Sequence, residues 1–177
     1  MTSSVTEHVA VVESDDFKSS NTQLLYNYIV EKRDGRERPS LMDIDLMDLY
    51  QIAPSICIRD VVQDGQDLKC RYWGADFEFV YKVSCSGKLI SETYDPQGVQ
   101  NTLDLHHRAL SAGKPLRLVG NLGYADKDID HVMFEGIMTC LDGKDFPKQH
   151  VLAVGQFDYE LDDEDRDLLY AQCGKRF

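Results

Sequence analysis

Positive charge is scarce in this sequence. Lys and Arg number 19 against 31 Asp and Glu, giving a net charge of −12 at pH 7. A field of that sign repels a polyanion, so no nucleic-acid partner is expected. Long apolar runs are missing too. None approaches the roughly 18–20 residues of a membrane helix, so no membrane partner is expected. The opening stretch, MTSSVTEHVAVVESDD, has no basic n-region, and its apolar run from Val9 to Val12 is too short for a signal peptide. The five cysteines, Cys57, Cys70, Cys85, Cys140 and Cys173, form no C-x-x-C pair. Their odd number and spacing argue against a zinc site and against a secreted disulfide framework. The expectation is a reduced, cytoplasmic protein with buried thiols.

Catalytic signatures are also lacking. VSCSG has Val83 where a G-x-S-x-G elbow needs glycine. Gly-Lys occurs without the rest of a phosphate-binding loop, and H-E-x-x-H is absent. Asp126, Asp128 and Asp130 imitate the start of an EF-hand, but His131 and Ile137 stand where that loop needs Gly and Glu. No catalytic residue and no metal ligand is assigned, and a non-enzyme is expected.

What remains is ordinary globular material: 177 residues, 42% hydrophobic and 28% charged, enough for one domain. Residues 1–20 read as a flexible arm with a short strand at Val9–Val12. Residues 21–160 read as the domain with a helical lead-in, and residues 161–177 as an acidic C-terminal helix. In the lead-in, Leu24, Leu25, Tyr28 and Ile29 share a helical face that Gly35 and Pro39 terminate. Leu46, Leu49 and Tyr50 predict a second short helix before Pro54. The period then becomes two. Ile56, Ile58 and Val61–Val62, the Asp64–Gly65 turn, and Leu68, Cys70 and Tyr72 predict a hairpin. Short helical turns follow Gly74. Pro96 opens a helix carrying Val99, Leu103, His106 and Leu110, with Gly113 as its cap. Three strand-like runs come next, at Leu116–Leu122, His131–Leu141 and His150–Asp158. Hairpins with segregated helices indicate an α+β fold with a five-stranded antiparallel sheet and helices over one face.

Two strands, a helical block and three strands is the element order of a PAS domain. RPSLMDIDLMDLYQIAPSICIRDVV resembles the opening of a bacterial PAS-like family common in alphaproteobacteria, through Arg38, Pro39, Asp43, Ile44, Asp45 and Pro54. RYWGADFEFVYKVSCSGKLISE resembles its second strand and helical step, and VMFEGIMTCLDG and VLAVGQFDYE its last two strands. Leu46 stands where the family often has Pro, and Trp73 and Ala75 replace smaller or hydroxyl residues. The resemblance implies a sensory or interaction module whose ligand and cofactor are unassigned. Only residues 161–177 follow the domain. That predicts a stand-alone module without an output domain, signalling through a homodimer or a separate output protein. The lead-in helix around Leu25 is the expected partner surface.

A PAS-type ligand site lies between sheet and helical block. Tyr72, Trp73, Phe77, Tyr81, Leu103, His106 and Glu135 are the candidate lining. The plainer reading makes His106 a core or boundary histidine and the aromatics plain core. Glu135 reads as a buried acid or as a solvent-facing one. The Asn-Cys-Arg-Phe stretch of flavin light sensors is absent, and Cys85 lacks its neighbours. Two other readings stay open: a small enzyme pairing His106 with Glu135 as acid and base, and a ligand-free adaptor.

Overall fold

The computed structural model describes residues 5–124, 132–145 and 149–174. The acidic stretch Asp126–Asp130 lies outside them. Six strands and four α-helices follow in the order β1 (Val5–Val12), α1 (Ser20–Arg33), β2 (Ile56–Val62), β3 (Asp67–Trp73), α2 (Ala75–Tyr81), α3 (Pro96–Ala112), β4 (Leu116–Tyr124), β5 (Val132–Asp142), β6 (Gln149–Phe157) and α4 (Asp163–Cys173). The fold is α+β. One antiparallel sheet runs β1-β4-β5-β6-β2-β3. The expected five strands are β2 to β6. The N-terminal segment adds a sixth at the edge, because β4 offers it an unpaired ladder from Arg117 to Tyr124.

Local chemistry places the long helix. The Asp95 side chain accepts from the Gly98 N–H at 2.7 Å, Pro96 opens the first turn, and Gly113 closes the last at φ 63°. The predicted helix before Pro54 is instead a string of turns, with two short 3-10 segments at Leu41–Asp43 and Ala53–Ser55. Aspartates compete for the backbone there: Asp43 accepts from the Ser40 N–H and Asp45 from the Met47 N–H.

Helices cover both faces of the sheet. The α2–α3 block packs on the first, against Cys57, Trp73, Phe134, Met138 and Cys140. On the second, α1 lays Leu25 and Ile29 against Ile56, Ile137, Leu141 and Leu152. Alongside it, Leu169 of α4 packs with Ala10 and Val119. Leu25 and Ile29 are 0% and 1% exposed. The apolar face of the lead-in helix is therefore spent on the chain's own core, and its assignment as a partner surface is corrected. The large exposed hydrophobics lie mostly elsewhere, at Met42, Met47, Tyr50 and Phe79.

Candidate ligand cleft and the ion cluster behind it

Alternation along β2 turns Ile56 and Ile58 toward α1 and leaves Cys57 and Arg59 facing the helical block. Arg59 is 6% exposed. Its guanidinium sits 5.4 Å from the Trp73 ring and 5.8 Å from the Tyr94 ring, and Nη2 donates to the Tyr94 hydroxyl at 2.9 Å. Its Nε has no hydrogen-bond partner among the described residues. From the edge strand, half-buried Glu7 accepts from the Tyr81 hydroxyl at 2.6 Å. Burial pushes the Glu7 carboxyl up, against the pull of that hydrogen bond and of the Arg59 charge. Arg59, Glu7 and Tyr81 border a cavity of about 50 Å³ between sheet and helices, lined also by Phe77, Phe134 and Phe157. That is room for a few waters or a very small ligand. Glycine shapes its floor: a Cβ on Gly155 would run into the Phe157 ring.

The predicted site residues separate. Phe77 and Tyr81 line the cavity. Trp73 and Leu103 are buried in the same core layer, with Trp73 Nε1 donating to the Val83 carbonyl at 3.0 Å. His106 is 1% exposed, its Nδ1 lying 3.7 Å from Cys140 Sγ, away from the cavity lining. Tyr72 belongs to the other face, where its hydroxyl donates to the Ala53 carbonyl. Glu135 also belongs to the other face, so the sheet stands between it and His106, and an acid–base pairing of the two is ruled out. Cys85 is buried and its thiol is pushed up by burial, despite a hydrogen bond with Thr93.

Burial, and then the charge of His107, pull His106 down to about 4. The folded form thus resists a proton that the unfolded chain takes up near 6.5. Stability from this group is complete above the unfolded value and is lost as pH falls toward the folded one. His106→Leu is expected to flatten the pH dependence of urea unfolding in that window. An unchanged slope would place its origin elsewhere.

Behind the sheet lies a buried ion cluster. Arg117 on β4 donates from Nε to Glu135 at 2.6 Å, and from Nη1 and Nη2 to Asp165 of α4 at 2.8 and 2.6 Å. All three side chains are at most 2% exposed. Glu135 also caps the start of α1, accepting from the Lys18 N–H at 3.0 Å, the Ser19 N–H at 2.6 Å and the Thr22 hydroxyl at 2.7 Å. Lys18 Nζ reaches Asp165 at 3.1 Å. Burial raises the Glu135 carboxyl, but the bonds from Lys18, Ser19 and Thr22 outweigh it and hold the group below its ordinary value. Asp165 is likewise held down, against burial, by Arg117 and Lys18.

Sequence reasoning missed Glu7 and Arg59. Glu7 sat in a segment read as an arm. Arg59 carried a usable signal, since strict alternation in ICIRDVV puts it with Cys57 and opposite the isoleucines.

No protein-family model matches the sequence, and no curated protein matches it either. Among solved structures, one described as an RNA-binding light-oxygen-voltage receptor is similar over 96% of this chain, at 13% identity and a TM-score of 0.42. The chain spans 42% of that receptor's chain. RNA binding is said there of the receptor. Among the described residues, no helix is long and apolar enough to cross a membrane.

Proposed function

We propose that this chain is a sensory or regulatory module of the bacterial PAS type, in which a small ligand held in the cleft is read by the helices on the opposite face. The observation that supports this reading is the placement of cavity and ion cluster on the same two strands. Leu118 and Gly136 are register partners that border the cavity. Their chain neighbours Arg117 and Glu135 turn the other way and hold α1 and α4. A shift of β4 against β5 is felt at once on both faces, because a close-packed sheet transmits strain rather than absorbing it. The output partner is a second copy of the chain or a separate protein.

Native and denaturing mass spectrometry of gently purified protein, with an absorption scan, tests this reading. The expected result is an extra mass in the native spectrum that is lost on denaturation. A bare mass under every gentle condition would move the assignment to a ligand-free adaptor. That second reading draws on the exposed Met42, Met47, Tyr50 and Phe79 and on an open groove of about 540 Å³ lined by Pro54, Phe79, Lys82 and Phe157.

A further inference from the structure

Among the described residues, the least satisfied buried charge is Arg59. An arginine is never deprotonated in a protein, so a buried guanidinium needs an anion or a full set of acceptors. Arg117, also buried, has two carboxylates and a short hydrogen bond from each of its three nitrogens. Arg59 has one neutral acceptor, the Tyr94 hydroxyl, and two aromatic rings. Its Nε–H is unmet, and no carboxylate of the described residues forms an ion pair with it. Glu7, which borders the same cavity, turns its carboxylate to Tyr81 instead. A buried donor left without an acceptor is costly, and a bound anion removes that cost.

We propose, building on the sensory reading above, that the cleft ligand is a small aliphatic monocarboxylate. Its two oxygens accept from the Nε–H of Arg59 and the Nη–H beside it, the planar fork that suits a carboxylate. Its short chain lies against the rings of Phe77, Phe134 and Phe157, the apolar side of a wall that also carries Glu7, whose carboxyl is engaged by the Tyr81 hydroxyl. The cavity volume of about 50 Å³ limits that chain to a few carbons and excludes a flavin or haem without rearrangement.

Trp73 is the single tryptophan of the chain and stacks near Arg59, so its emission reports on the site. The experiment titrates the full chain with sodium propionate against sodium chloride of equal ionic strength, and with the neutral isostere propionamide. A saturable change of Trp73 emission with propionate alone is expected. Arg59→Gln should weaken it about tenfold or more, the worth of one charge-assisted hydrogen bond. The propionate–propionamide contrast is read on the unaltered protein, so it holds even where the variant does not fold. Equal responses to propionate and propionamide, a response to chloride alone, or no saturable response would each overturn the carboxylate assignment. So would undiminished binding by folded Arg59→Gln. If native mass spectrometry then shows a neutral adduct, the sensory reading stands and only the ligand class falls. If it shows none, both fall.

Discussion

Glu135→Ala is expected to lower the unfolding free energy by about 3–5 kcal/mol, the usual cost of breaking a buried ion pair from one side. The carboxylate answers four donors: Arg117 Nε, the Lys18 and Ser19 amides and the Thr22 hydroxyl. Alanine leaves them buried with fewer acceptors and removes the negative charge at the start of α1. Arg117 keeps Asp165, so the protein should still fold, with its urea midpoint lower by about 2 M. A loss below about 1 kcal/mol would mean that water replaces the carboxylate and that the cluster is not sealed. The pH dependence has a definite sign. Because Glu135 and Asp165 are held below their ordinary values in the fold, their contribution is complete at neutral pH and is lost as pH falls through the carboxylate range. The Glu135→Ala variant should show a shallower acid limb.

Replacing Arg117, Glu135 and Asp165 together by apolar residues of similar size leaves no guanidinium or carboxylate stranded, though the Lys18 and Ser19 amides still lose their acceptor, so its cost should not exceed that of Glu135→Ala. Such a variant separates stability from signalling. It should remain folded while losing the polar link between β4–β5 and the two helices.

Much of this architecture was legible because its signals are local. Pro96 and Gly113 bracket α3, and Asp64–Gly65 marks the hairpin of β2 and β3. Strand β1 was not legible at full length. VTEHVAVV carries one short apolar run, and the segment becomes a strand because a distant edge, β4, is free to pair with it. Helix coverage of both faces explains the rest. Glu135 in VMFEGIM reads as solvent-facing only if one face of the sheet is open. With α1 and α4 on that face, either orientation is buried, and the acid needs Arg117. Tyr72 and Trp73 are neighbours in sequence, and neighbours on a strand point to opposite faces, so only Trp73 joins the core layer of the cleft. Phe77 and Tyr81 follow one another at helical spacing, and the α2 helix does bring both to the cleft.

Leu25→Glu is expected to leave no folded protein under conditions where the parent is stable. The side chain is fully buried against the second face of the sheet, among Ile56, Ile137 and Leu152. Truncation to alanine alone should cost about 2–5 kcal/mol. A carboxylate in the same place adds an unpaired buried charge whose penalty is several kcal/mol more. Against the roughly 5–15 kcal/mol that holds a domain together, the sum is decisive. Phe79 offers the contrast, being 73% exposed on α2. Phe79→Ser should change stability by no more than about 0.5 kcal/mol. Circular dichroism and urea unfolding of the two variants separate the roles of the two surfaces. A folded Leu25→Glu protein with altered oligomeric state would return the lead-in helix to the partner surface. An unfolded one, beside a folded Phe79→Ser, leaves α1 as core and moves the search for the partner to the exposed α2 side.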